Sequence, residues 1–156
     1  MATKKNPANE GVAGSIFAAH LLGGQRFEFD LSASYAAGSA TDETLICIGY
    51  VPADCVMVRH LSRLEIPQLD SNNAPTGDYE VGTAADPDAL KASAAAETAV
   101  VLSGEDWRTD TDTGVIGSET EETPIYIRVS NVIATLGTGT IVFDLVYRAR
   151  NSRTDA

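Results

Sequence analysis

The sequence predicts an all-β protein, an antiparallel β-sandwich with one short helix. In several runs apolar and polar residues alternate, which is the pattern of a strand that buries one face. Turn-forming residues separate these runs. Aromatic residues make up only 6% of the chain, which favours a thin, aliphatic core between two sheets.

Length and charge limit the kinds of protein that this chain can be. Its 156 residues suffice for one domain that buries roughly 65–70% of the surface of the unfolded chain. Acidic residues outnumber basic ones by 22 to 11, so the net charge is −11 and the protein should repel nucleic-acid phosphates and anionic lipids. No apolar run approaches the roughly 18 residues of a membrane-spanning helix. We therefore expect neither nucleic acid nor a membrane as a partner.

The chain divides into an arm, a domain and a tail. Residues 1–24 show no sustained hydrophobic period, contain four glycines and carry a basic pair, Lys4 and Lys5. We expect them to form a flexible arm, residues 25–150 to form the sandwich and residues 151–156 to be disordered. The arm carries an apolar group that we expect to bind a partner subunit: Ile16, Phe17, Leu21 and Leu22.

Strands are predicted throughout the first two thirds of the domain. Strict alternation makes Arg26–Leu31 the clearest early strand, with its apolar side chains on one face. Thr44–Ile48 and Thr98–Leu102 are predicted as strands from their apolar character. A longer strand is predicted over Val56–Ile66, where polar residues around His60 interrupt the apolar face. A bulge or bend near residue 60 would reconcile that interruption with the pattern.

The rest of the chain adds one helix and two strands. A helix is predicted over residues 89–96, because Asp86 suits an N-cap, Pro87 suits the first helical position and an alanine-rich run follows. The last strands are predicted over residues 125–130 and 141–148. Glycines near residues 136–139 indicate a hairpin-type turn between them.

An acidic, threonine-rich loop is predicted over residues 103–123, longer than most structureless connections. Its run Asp106–Gly114 has the Asp-x-Asp spacing of a calcium loop but lacks the later ligands of such a loop. A solvated acidic loop is therefore favoured over a metal site. Trp107 in this loop is either an anchor that holds the loop to the domain or an interface residue, and we include it among the candidate partner-binding residues.

The sequence lacks the motifs that carry most enzyme chemistry, including phosphate-binding glycine loops, paired-cysteine zinc patterns and nucleophile elbows. His20 lies in the arm and His60 lies in mid-strand, and neither has an orienting motif. Cys47 and Cys55 are expected to be buried free thiols of a protein made in a reducing cytoplasm. We therefore predict no catalytic, cofactor or metal site, although a carboxylate pair for glycoside hydrolysis stays open on composition.

Val51–Asp54 before a long strand, Tyr79–Gly82 leading into Ala85–Leu90, and the closing Gly139–Tyr147 together resemble the small head decoration, or cement, proteins of tailed bacteriophages. The resemblance covers residues 27–148 and consists of strand and turn patterns. It implies a jelly-roll-like structural virion protein without catalytic activity.

The resemblance also implies partners and a location. Such a protein is made in the host bacterial cytoplasm, assembles as a homotrimer and binds the outer surface of the capsid, where it bridges neighbouring subunits of the major capsid protein. An arm that orders on contact suits this role. The alternative is a carbohydrate-binding β-sandwich module, which would need exposed aromatic platforms. A hydrolase of the same fold is a third hypothesis, and the missing motifs disfavour it.

Overall fold

A computed structural model describes residues 22–31, 44–71, 74–107, 115–132 and 137–150. Residues 1–21 of the expected arm and the expected tail lie outside these ranges. The described residues form nine strands and two 3₁₀ turns, the turns at Arg59–Leu61 and Gly104–Asp106. The strands are β1 Leu22–Asp30, β2 Thr44–Val51, β3 Cys55–Met57, β4 Arg63–Ile66, β5 Asp78–Gly82, β6 Lys91–Ala95, β7 Val100–Ser103, β8 Thr123–Ser130 and β9 Thr140–Ala149.

The antiparallel strand pairs are nested within one another. β1 pairs with β9, β2 with β8, β4 with β7, and β5 with β6. These pairs join into two sheets, with strand orders β1-β9-β4-β7 and β2-β8-β5-β6, and the short β3 also pairs with β9. Nested pairs rolled into two facing sheets form a jelly roll. The predicted antiparallel β-sandwich is confirmed.

The core lies between the two sheets and follows from the alternation in the sequence. In β8 the side chains of Ile125, Ile127 and Val129 are fully buried, while the residues between them point outward. Phe143 at the centre of β9 is the largest strand residue whose side chain is fully buried. Because the side chains of a strand alternate between its faces, a slip of one residue would expose this whole set. Burial of the apolar face therefore fixes the register.

The polar interruption in the strand predicted over Val56–Ile66 is a bend. The 3₁₀ turn separates β3 from β4, and both strands pair with β9. Ser62 is 1% exposed, and its hydroxyl accepts a hydrogen bond from the amide of Val146 at 3.0 Å and donates one to the carbonyl of Val58 at 2.9 Å. The hydroxyl thus satisfies backbone groups that an unbroken strand would pair directly.

The helix predicted over residues 89–96 is wrong, because this segment contains β6, which pairs with β5. The amide of Ala89 donates to the carbonyl of Asp86 at 3.2 Å, which closes a turn with Pro87 at its second position. Proline suits that position for the same reason that it suits the start of a helix, since its φ angle is fixed. Burial of Leu90 and pairing with β5 decide the outcome in favour of a strand.

The hairpin predicted between the last two strands is also wrong, because β8 and β9 lie in different sheets. The glycines of the connection serve a close approach instead. The amide of Gly137 donates to the carbonyl of Leu69 at 2.8 Å, and a Cβ atom at Gly137 would lie 2.0 Å from the carbonyl oxygen of Gln68. Glycine therefore lets the connection pass against the β4–β5 loop.

The first strand begins three residues earlier than the expected boundary between arm and domain. Leu22, Gly23 and Gly24 pair with the end of β9 as part of β1. A Cβ atom at Gly23 would lie 2.4 Å from the ring of Tyr147, so this glycine makes room for the ring. Glycines that indicated a loop in the sequence thus belong to a strand.

Candidate interaction surface

An apolar patch covers the outer face of the second sheet at its β2 edge. We call it the β2–β8 patch, and it consists of Leu45, Cys47, Tyr50, Pro124 and Tyr126. Leu45 is 50% exposed and Tyr50 36% exposed, although both are large and apolar in character. Cys47 lies opposite Tyr126, and Tyr50 lies opposite Pro124, so the two strands contribute facing side chains.

A β-bulge in β2 builds this patch. The register shifts between Cys47 and Gly49, so that Ile48 is an extra residue on the core side. Without the extra residue, strict alternation would turn Tyr50 toward the core. Gly49 fits here because its φ is +159° and a Cβ atom would lie 2.6 Å from the ring of Phe27. The bulge therefore presents Cys47 and Tyr50 on the same outer face.

The patch reaches an open edge of the sandwich. Among the described strands, β2 pairs only with β8 and β1 only with β9, so the two sheets end side by side. The rings of Phe27 and Tyr50 meet edge to face there, with centroids 5.3 Å apart. Single exposed apolar residues are normal on protein surfaces, but a cluster beside unpaired strand edges is typical of an interaction site.

One charged residue at the border of the patch is paired. Arg128 lies opposite Leu45 and forms an ion pair with Glu80 on β5 at 2.5 Å. The five residues of the patch carry no carboxylate, although the whole chain has a net charge of −11. A partner can therefore approach this face with less repulsion than an acidic surface would cause.

The candidate partner-binding residues predicted from the sequence are not brought together in the described structure. Ile16, Phe17 and Leu21 lie outside the described residues. Leu22 is 44% exposed at the start of β1. It is accessible to a partner, but the expectation that the group binds one remains a prediction.

Trp107 is a core residue in this structure and not an exposed contact. Its side chain is 2% exposed, its indole Nε1 donates to the carbonyl of Ser62 at 3.0 Å, and its ring centroid lies 6.5 Å from that of Phe143. These contacts fit the anchor interpretation and correct its inclusion among the partner-binding residues. The indole can be buried here because the bend leaves the carbonyl of Ser62 available to accept a hydrogen bond from its N–H group.

The two cysteines are free thiols with different surroundings. Cys47 is exposed, so its expected burial is wrong, and its thiol donates a hydrogen bond to the carbonyl of Gly49 at 3.6 Å. Cys55 is half-buried, and burial, with a smaller contribution from the charge of Asp54, raises the pKa of its thiol. Cys47 is consequently the more accessible of the two thiols.

A second concave feature lies at the end of the sandwich where β5 and β8 meet their loops. We call it the end cleft. It has a volume of about 430 Å³ and lies between the β5–β6 loop and the segment that precedes β8. Ala89 and Ile116 form its buried floor, and Asp86, Glu121 and Glu122 stand exposed at its rim.

The end cleft lacks the setting of a glycosidase site. A general acid of that chemistry needs a carboxyl group in an apolar, partly enclosed environment, and these rim carboxylates are exposed. The described residues hold no group of three or more His, Cys, Asp or Glu arranged for a metal ion. His60 is exposed on the 3₁₀ turn. Most of the calcium-like run falls outside the described ranges.

Sequence reasoning missed the β2–β8 patch for a definite reason. Thr44–Ile48 is too uniformly apolar to show which side chains face the core. The glycine at position 49 was the one available signal, since a glycine inside a strand often marks a bulge. No helix among the described residues is long and apolar enough to cross a membrane.

Comparison with known proteins places the fold among phage capsid structures. No family model matches the sequence, and no curated protein matches it. A chain in the capsid of Ralstonia phage GP4 is similar at 25% identity, with a TM-score of 0.58 over 84% of this chain and 86% of that one. A chain in the capsid asymmetric unit of cyanophage Pam1 has 16% identity and a TM-score of 0.52 over 83% and 85%. The Pam1 likeness concerns the fold alone.

Proposed function

We propose that this protein is a structural component of a tailed-phage virion that binds the outer surface of the capsid and bridges neighbouring major capsid protein subunits as a homotrimer. The observation that carries the proposal is the similarity to a chain of the Ralstonia phage GP4 capsid over most of both chains. Decoration and the trimeric state go beyond that similarity. They rest on the resemblance of the strand and turn segments and on the accessible surface described above.

The β2–β8 patch supplies a surface for attachment. Burial of its apolar area against a partner would stabilise the complex by about 25 cal/mol for each Å² removed from water. The open edge of β2 beside it offers backbone hydrogen-bond groups to a partner strand. We assign the contact with the major capsid protein to this face.

Burial of Trp107 disfavours the carbohydrate-binding alternative. A sugar-binding face uses exposed aromatic rings, and the single tryptophan of the chain is buried. Tyr50 and Tyr126 lie on the patch, but Tyr50 is engaged by Phe27. The described geometry therefore favours a protein interface.

Binding to capsids that lack this protein tests the proposal. The purified chain should co-sediment with such capsids at a saturating, symmetric copy number, and the thiol of Cys47 should become protected from maleimide on binding. Leu45→Asp should weaken binding by about tenfold or more, because it places a charge in an apolar contact. Val101→Asp is the matched control, since Val101 is 45% exposed on the other sheet. A chain that stays in the supernatant would refute the proposal.

A further inference from the structure

The end cleft is a groove with an apolar lining and an acidic rim. Its walls are formed mainly by small or aliphatic side chains, and Val115 at its mouth is 43% exposed. The lining contains three carboxylates and no Lys or Arg. Its volume of about 430 Å³ falls within the usual range for sites that hold a small ligand or a short peptide segment.

The chain itself contains a segment of complementary chemistry. Residues 1–9 hold Lys4 and Lys5 and no acidic residue, whereas the remainder holds all 22 acids. A lysine side chain can lay its aliphatic stem on an apolar wall while its ammonium group reaches a carboxylate. The alanines that line the cleft leave space for such stems.

The first described strand begins at the end of the domain that carries the cleft. β1 begins at Leu22, opposite Arg148 near the end of β9. Two residues later, the side chain of Arg150 donates to the carbonyl of Gly117 at 3.4 Å, and Gly117 lines the cleft. The start of β1 and the end cleft therefore share one end of the jelly roll.

The arm is long enough to reach beyond its own domain. The 21 residues before Leu22 span up to about 70 Å when extended. A domain of this size has a radius of gyration of about 14 Å. Its own cleft would use only part of this reach, and a neighbouring copy in a trimer lies within it.

We infer that the end cleft binds the basic segment Ala2–Ala8 of a neighbouring copy, with Lys4 and Lys5 placed against Glu121 and Glu122. This inference rests on the proposed homotrimer and identifies the contact that closes it. Three such contacts would form a heterologous ring, each arm engaging the next subunit. Because the charges are exposed, salt should weaken the contact.

Charge exchange between two variants tests this inference by sedimentation velocity on the full chain. Lys4→Glu/Lys5→Glu and Glu121→Lys/Glu122→Lys should each weaken self-association by about tenfold. An equimolar mixture of the two should restore part of the loss, because complementary charges meet in two of the three contacts of a mixed trimer. Glu28→Lys/Glu97→Lys changes the net charge by the same amount as Glu121→Lys/Glu122→Lys, at two exposed positions away from the cleft. This control should leave association unchanged.

Each other outcome overturns the inference. Recovery of association in a chain that carries all four exchanges, with no recovery at all in the mixture, would mean that the arm binds its own cleft. Wild-type protein that sediments as a monomer, or variants that associate like wild type, would mean that the cleft has another occupant. Capsid binding is measured separately with the Leu45→Asp variant, so loss of the trimer contact and failure of the capsid role are distinguishable.

Discussion

At the level of single residues, Ser62 and Trp107 link the bend between β3 and β4 to its neighbours in the first sheet. Ser62 replaces a missing strand pairing with its hydroxyl and offers its own carbonyl to the indole of Trp107. The indole then fills the core beside Phe143. The start of the acidic segment at residues 103–123 is thereby attached to the core of the sandwich.

Replacement of Trp107 should show this attachment directly. Trp107→Ala removes a fully packed indole and leaves the carbonyl of Ser62 without that donor, so the free energy of unfolding should fall by about 3–5 kcal/mol. Urea unfolding followed by far-ultraviolet circular dichroism measures the change. Val101→Ala, at an exposed strand position, should change it by less than about 0.5 kcal/mol. Equal effects of the two substitutions would contradict the anchor role.

The Arg26–Asp144 pair on the outer face of the first sheet gives a pH-dependent prediction. A hydrogen bond from Arg26 lowers the pKa of Asp144, and the charge of Arg63 contributes less. A lowered pKa in the folded state adds stability above the ordinary pKa of the carboxyl group, and that stability disappears as the pH falls through the lowered value. The contribution of this pair to the free energy of unfolding is small because both side chains are accessible to solvent, which screens their charges.

Carboxyl-carbon NMR titration tests the pair. In Arg26→Gln the pKa of Asp144 should rise toward its ordinary value, and the stability difference from wild type should shrink as the pH falls below about 4 and vanish below the lowered pKa. Arg63→Gln should raise this pKa less. A larger rise in Arg63→Gln than in Arg26→Gln would show that the hydrogen bond is not the main cause.

At the scale of elements, alternation determined most of the strands, and turn signals caused the errors. β1, β8 and β9 were predictable because apolar and polar residues alternate in each, and β8 buries its apolar face throughout. β5 and β6 were not, since β5 is short and the Asp-Pro-Asp signal before β6 serves a turn as well as a helix. The bulge in β2 and the close approach at Gly137 depend on neighbours distant in the sequence, so local pattern could not reveal them or the patch.

Gly117 shows how a loop residue holds two elements together. Its φ is +154°, and a Cβ atom there would lie 2.1 Å from the carbonyl oxygen of Cys55 at the start of β3. Gly117→Ala should therefore lower the free energy of unfolding by about 2–4 kcal/mol. Gly24→Ala is the matched control, because its Cβ atom would make an ordinary contact at 3.6 Å, and its effect should stay within about 1 kcal/mol. Thermal unfolding of both variants separates steric strain from a general glycine effect.

At the level of the whole molecule, the jelly roll carries two accessible features, the β2–β8 patch and the end cleft, which adjoin at Pro124. The β2–β8 patch lies on a sheet face, whereas the end cleft lies at one end of the sandwich. The proposed bridging of capsid subunits requires contacts in more than one direction, and the positions of these two features suit that requirement.

Deletion of the arm should separate folding from attachment. Removal of residues 1–21 leaves β1 intact, so the melting temperature should stay within a few degrees of wild type. Capsid binding should weaken, because burial of each apolar side chain such as Ile16, Phe17 and Leu21 is worth about 1.5–3 kcal/mol. Removal of residues 1–9 alone keeps this group and should reduce self-association while sparing capsid binding. Unfolding of the 1–21 deletion would assign the arm to the core instead.

Electron cryomicroscopy of intact particles that contain this chain tests the proposed position on the capsid. A jelly-roll density is expected on the outer capsid surface in symmetric copies, grouped in threes, with the β2–β8 patch against major capsid protein subunits. The same map would show whether residues 2–8 lie in the end cleft of a neighbour. Particles whose outer surface carries no such density, or a chain found only free of particles, would contradict the account.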